Sequence, residues 1–144
     1  MESQAKNIIL VIDGQGGGIG ATIIKALRSG LNDDQLIWAV GTNSAATTKM
    51  MKAGANRGAT GENAVLVTVP KAQIILGPIS IVLANSMMGE VTQKMAEAVA
   101  SSQGIKILLP LTQEQVYIVG TSTQPLPHLV EEMLLKVKEV MKLV

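Results

Sequence analysis

The chain has 144 residues, 12 Lys or Arg against 11 Asp or Glu, and a formal net charge of +1 without a basic run, so the electrostatic footprint of a duplex nucleic-acid binder is missing. Hydrophobic residues make up 47% of it, but there is one Trp, one Tyr and no Phe; the core must be aliphatic with Met filling gaps, and the aromatic platforms that hold single-stranded bases are absent. With no Cys, a disulfide framework and thiolate metal centres are excluded, and no metal is expected.

This length suits one domain, residues 1–144. Lys6 precedes the apolar run Ile8 to Ile12, but Asp13 stops that run short of a signal-peptide core. The uncharged stretch Ala72 to Gly89 is broken by Gly77-Pro78 and carries Gln73, Asn85 and Ser86, which argues against a membrane span. A cytoplasmic protein is expected.

In chain order, Asn7 to Ile12 reads as a buried strand, a short apolar run ended by Asp-Gly. Ile19, Ile23, Ala26, Leu27 and Leu31 then share one helical face, with Lys25 and Arg28 off it and Gly30 and Asn32 as stops. Gln35 to Val40 is a second buried strand, and Ser44 to Ala53 a second helix closed by Gly54. This β-α-β-α order predicts a parallel sheet covered by helices. Asn56 to Ala59 is a short third strand. Val65 to Val69 has strand propensity, but the link to the next strand, Gln73 to Leu76, is too short for a parallel crossover. The run is therefore read as a helix entering from Thr60-Gly61, with an antiparallel pair as the alternative.

Pro78 suits the first turn of a helix, and Ile79 to Met88 is apolar nearly all round, so a buried helix is expected there. Thr92 caps a further helix with Val91, Met95, Ala98 and Val99 on one face. Lys106 to Leu109 and Val116 to Val119 are predicted strands joined by only Leu111 to Gln115, which makes them an antiparallel hairpin at the sheet edge. Pro125 and Pro127 introduce a closing helix with the stripe Val130, Met133, Leu134, Val137, Met141 and Val144, and with Glu132 and Lys136 as an i,i+4 pair. The expectation is a three-layer, Rossmann-like α/β fold with a mostly parallel sheet and an antiparallel edge strand. Small domains with much apolar surface tend to associate. A homo-oligomer, a dimer in the first instance, is expected through Ile79 to Met88 and the closing helix.

Between the first strand and first helix lies Asp13-Gly14-Gln15-Gly16-Gly17-Gly18-Ile19-Gly20, with five glycines in seven residues from Gly14. A helix start leaves N–H groups free for a phosphate, and they reach it only where no Cβ intervenes. A tight turn alone would need one glycine. The spacing G-x-x-x-G-x-G of Gly14, Gly18 and Gly20 resembles the loop of short-chain dehydrogenases. That likeness stops at the loop: there is no Tyr-x-x-x-Lys pair, Tyr117 lies elsewhere, and no acid ends the second strand. Thr42 and Asn43 stand there instead and suit a hydroxyl or a 2′-phosphate. A kinase-type P-loop is excluded because Gly20-Ala21-Thr22 lacks its lysine, and Ile19 replaces the Thr of a tubulin-like glycine loop.

Taken together, Val11 to Gly20, Gly41-Thr42-Asn43, Ala53 to Asn56, Gly58 to Ala64, Gly77-Pro78-Ile79, Ala84-Asn85-Ser86 and Pro125 to Leu129 resemble a family of small bacterial proteins of unknown function. The resemblance spans nearly the whole chain and implies a fold without implying an activity.

The expected ligand site is Asp13, Gly14, Gln15, Gly16, Gly17, Gly18, Ile19 and Gly20 with Thr42, Asn43, Gly77 and Pro78, for a nucleotide or dinucleotide such as NADP or NAD. Gln15 is expected to reach across the mouth to sugar or phosphate. Asp13 either contacts a hydroxyl or bridging cation, or caps the loop through backbone N–H groups. Glu62 and Asn63 lie at the ligand edge or serve a helix start capped by Thr60. Asn85, Ser86 and Glu90 line a pocket or bond backbone. His128 has no catalytic partner in sequence, and a surface or capping role is expected. Three functions remain open: a nucleotide-binding sensor or module, a small NAD(P)-dependent oxidoreductase or other nucleotide-using enzyme, and a structural partner without ligand. Scarce acid–base pairs favour the first.

Overall fold

The computed structural model describes residues 7–112 and 114–144. Five strands, β1 (Ile8–Asp13), β2 (Leu36–Gly41), β3 (Arg57–Thr60), β4 (Ile74–Pro78) and β5 (Ile105–Leu109), form one sheet in the order β3-β2-β1-β4-β5. Every pairing is parallel, with Ile9 beside both Ile37 and Ile74 at the centre. The five helices are α1 (Gly18–Gly30), α2 (Ser44–Ala53), α3 (Glu62–Thr68), α4 (Gln93–Ala100) and α5 (Leu126–Met141).

The period of two along β1 makes the three layers. Ile9 and Val11 point to one face, where α1, α2 and α5 bring Ile24, Leu27, Met50, Met133 and Val137. Leu10 and Ile12 point to the other, where α3 and α4 bring Val65, Met95 and Val99. Strands buried on both faces read as continuous apolar runs, which is why β1 and β4 were legible. The order reverses at β1, so the connections after β1 and β4 leave toward opposite faces. In open α/β sheets that divergence opens a crevice at the carboxyl ends of the strands. At the other end of α1, Arg28 donates to the Gly54 and Gln35 carbonyls and to Asn56 Oδ1, tying helix to sheet.

Several expectations are corrected. Val65 to Val69 is helical, as the short connection required, although Gly61 and not Thr60 occupies the cap; the Thr60 hydroxyl bonds Thr47 Oγ1 at 2.7 Å. Pro78 ends β4 instead of starting a helix. Ile79–Val82 makes only a single 3-10 turn, and the chain then turns repeatedly, with Asn85, Met87 and Met88 all at positive φ. The apolar character of that stretch reflects the packing of Ile81, Val82 and Met87 against the α3–α4 layer, without a helical ladder. The antiparallel edge strand is also not seen among the described residues. Val116 to Val119 is an irregular surface segment, with Tyr117 92% and Val119 98% exposed. Strand propensity without a hydrophobic face to cover does not make a strand. On α5 the buried stripe is Leu129, Val130, Met133, Val137 and Val140, while Val144 is exposed. Lys136 pairs with Glu139 at 3.0 Å, and Glu132 faces His128 at 3.6 Å, which replaces the expected Glu132–Lys136 pair. Of the two elements expected to meet a second copy, only α5 is a helix; it exposes Leu135.

Candidate functional site

The crevice holds a cavity of about 410 Å³, within the range of small-molecule sites. It is lined by Asp13 to Ile19 on one side and by Pro78, Ser80, Met87, Leu111, Thr112 and Glu114 on the other.

Asp13 organises the glycine loop. Its carboxylate is 3% exposed and accepts hydrogen bonds from the N–H groups of Gly14 (2.8 Å) and Gly20 (2.7 Å). Gly20 is the third residue of α1, so Asp13 fills the cap that Gly17 has no side chain to provide. Burial pushes the Asp13 carboxyl above its ordinary value, and the Glu90 charge adds to this. The N–H groups of Gly20, Gly14 and Ile19 pull the other way. Of the two roles expected for Asp13, the structure has the capping one.

The five loop glycines divide by what surrounds them. A Cβ on Gly14 would strike Thr42, Met87 and Glu90. Gly17 has φ +74°, and a Cβ there would lie 2.7 Å from the Ala46 backbone. Gly20 is wedged against Met50 and the Asp13 side chain. Those three serve the fold. Gly16 and Gly18 have ordinary negative φ; a Cβ on Gly16 meets nothing within 4 Å, and one on Gly18 meets only Lys49 Nζ at 3.9 Å. Among the chain's 14 glycines these two alone have neither a positive φ nor a close neighbour. Both are exposed at the cavity, and neither N–H has a partner among the described residues. The Lys49 side chain comes from α2, is exposed, and has no carboxylate partner among the described residues.

The β2 side is different. Glu90 reaches across from the segment after β4, and its Oε1 accepts from the Gln15 N–H (2.8 Å), the Thr42 hydroxyl (2.6 Å) and the Asn43 amide (2.9 Å). Burial would raise the Glu90 pKa, but the donors Thr42, Gln15 and Asn43 outweigh it and hold the carboxyl below its ordinary range. Asn43 Nδ2 also donates to the Gln15 carbonyl, and its Oδ1 caps α2 by accepting from Ala46 N–H. Gln15 sits at φ 49°, a left-handed conformation costing a non-glycine residue about 1 kcal/mol. Thr42 and Asn43 are thus engaged with Glu90 and do not line the cavity.

Gly77 does not line it either and is packed so closely on β1 that a Cβ would strike the Ile12 carbonyl; Pro78 does line it. Glu62 accepts from the Thr92 hydroxyl at 2.6 Å, away from the cavity, and Asn63 is exposed. Ser86 is buried and donates to the Ser80 carbonyl at 2.6 Å; Asn85 is a turn residue at φ 69°. His128 is exposed on α5. Sequence reasoning missed Lys49, Ser80, Thr112 and Glu114. It noted Glu90 without seeing that it joins three segments. The Asn43 cap was readable from an Asn directly before a helix.

A model of a domain of unknown function, DUF3842, matches residues 8–142. The chain belongs to the DUF3842 family. No curated protein and no solved structure matches it. The matched residues contain the entire sheet, all five helices and the crevice, so this site lies within the DUF3842 domain itself. Among the described residues no helix is long and apolar enough to cross a membrane, and no group of three or more His, Asp or Glu is placed to hold a metal ion.

Proposed function

We propose that this chain binds the phosphate of a nucleotide, or of another phosphate-bearing small molecule, at the N–H groups of Gly16 and Gly18. The observation that carries this reading is the pair of glycines that the fold itself does not need. A Cβ at either position would cover a free N–H at the mouth of the cavity, and its absence keeps those donors open. The dipole of α1, 13 residues long, adds favourable potential at its start, and Lys49 adds a cation beside Gly18. The remainder of the ligand fits toward β4 and β5, where Ser80 and Thr112 supply hydroxyls and Met87 and Leu111 apolar surface.

A binding module suits this site better than an enzyme. The cavity carboxylates are already engaged: Asp13 holds two loop N–H groups, and Glu114 accepts from Met87 N–H at 3.1 Å. A mononucleotide fits better than NADP or NAD in this state, because Thr42 and Asn43 at the end of β2 are occupied by Glu90.

Binding of inorganic phosphate, ATP, GTP, NAD and NADP by calorimetry and thermal shift tests this, since a specific ligand raises the melting temperature by mass action. Gly18→Val places a branched side chain into open space, so the variant is expected to fold and to lose binding by at least about tenfold, the cost of losing a charged hydrogen bond. A folded Gly18→Val protein with unchanged affinity, or a native protein that binds none of these, overturns the reading.

A further inference from the structure

We infer that Gln15 N–H, the Thr42 hydroxyl and the Asn43 amide form a second anion subsite beside the first, held in this structure by the chain's own Glu90 carboxylate as a tethered competitor for the second phosphate of a pyrophosphate-bearing ligand. The inference rests on the phosphate reading of Gly16 and Gly18 and extends it to the class of ligand.

Three donors from two segments converge on Glu90 Oε1 at 2.8, 2.6 and 2.9 Å. A carboxylate oxygen offers about two lone-pair sites for these three donors, whereas a phosphate brings three acceptor oxygens among which they can be shared. The donor set therefore matches a phosphate better than it matches the group now bound. Its position fits as well: Gln15 N–H is the amide immediately before Gly16 N–H, so the two subsites are adjacent along one backbone.

The backbone of Thr42 and the side chain of Asn43 are anchored without Glu90. Asn43 is held by its own cap on α2 and by the Gln15 carbonyl, and Thr42 N–H donates to the Asp13 carbonyl at 3.0 Å. Glu90, in contrast, is half-exposed and stands beside the base of a turn closed by the Asn85 N–H to Val91 carbonyl bond at 2.7 Å. Rotation of its side chain alone vacates the subsite and leaves that turn intact. Apparent affinity for a ligand that needs both subsites is then reduced by the fraction of molecules in which Glu90 is away.

The test measures inorganic phosphate and inorganic pyrophosphate binding to the full chain by calorimetry, for the native protein and for Glu90→Ala, Glu90→Gln and Gly18→Val. Glu90→Ala is expected to bind pyrophosphate tighter by about tenfold, the order set by releasing charged hydrogen bonds, with little change for phosphate. Glu90→Gln removes the charge but keeps an acceptor oxygen in place, so it is expected to gain less; it also serves where the Ala variant fails to fold. Adding Thr42→Val to Glu90→Ala should cancel the gain.

Equal tightening for phosphate and pyrophosphate overturns the inference, because the effect is then only the loss of a nearby negative charge. Weaker binding of both anions also overturns it and makes Glu90 a structural clamp. In either case the first subsite stands, provided Gly18→Val still abolishes phosphate binding. If no variant and no native protein binds either anion, the phosphate reading falls and the inference with it.

Discussion

The two flanks of the glycine loop are built from similar residues and do opposite things. On the β2 flank the polar side chains at the strand end are engaged: Thr42 and Asn43 hold Glu90, and Asn43 also caps α2. On the β4 flank the N–H groups of Gly16 and Gly18 face an open cavity. The difference teaches that a glycine-rich sequence is not itself a ligand site. A candidate site arises where the fold has no use for the glycine and leaves its backbone donors unpaired.

The largest effect should come from glycines on the used side of that division. Gly17→Ala combines a positive φ with a backbone wall at Ala46 that cannot rotate away, and a loss of about 3 kcal/mol is expected by urea unfolding. Gly18→Ala, one residue on, should leave stability unchanged or raise it by about 0.5 kcal/mol, since the new side chain meets no wall. Similar losses in both variants would erase the distinction between the glycines.

A second comparison runs along the pH axis. Glu90 has a folded pKa below its ordinary 4.5, so the stability it contributes is present above that value and is lost as pH falls through the folded pKa. Asp13 has a folded pKa raised above 3.8, so between 3.8 and the raised value the native state holds the extra proton, and stability falls as pH rises through that window. Glu90→Gln should flatten the acid-side loss, and Asp13→Asn should remove the opposing slope. Unfolding curves between pH 3 and 7 check both signs, and parallel shifts in the two variants would contradict them.

The smallest effect should be that of Lys49→Ala. An exposed charge contributes about 0.2–1 kcal/mol, so anion binding should weaken roughly two- to fivefold and more at low salt. Stability should stay within about 0.5 kcal/mol, because Lys49 is exposed. A change in stability without a change in binding would assign Lys49 to α2 alone.

Much of this arrangement could be read before any coordinates. β1, β2 and α2 announce themselves by continuous apolar runs, by helical period and by Gly54, which does take a positive φ of 125°. The loop was legible as a phosphate candidate, but the separate duties of its glycines were not, since they depend on Ala46 and Met50 in another helix. Glu90 illustrates the limit. Its partners lie 47, 48 and 75 residues away, and no local pattern encodes such a contact. Ile79 to Met88 and Val116 to Val119 misled for a related reason: composition reports that a segment is apolar, but the backbone conformation follows from which neighbours remain to be covered. In the first, Ser86 turns inward onto Ser80; in the second, Tyr117 and Val119 face outward almost fully exposed.

The place of α5 on the α1 face bears on the order in which the core beneath the glycine loop closes during synthesis. Five of the seventeen buried residues in that core layer come from α5, the last described element, and Leu134 fills the space beside Gly30 at the far end of α1. While a ribosome still covers residues 126–141, the α1 face lacks the wall that α5 supplies. That core layer thus closes only after translation has passed this helix, and a nascent chain stalled before Leu126 would carry all eight loop residues with the α1 face uncovered.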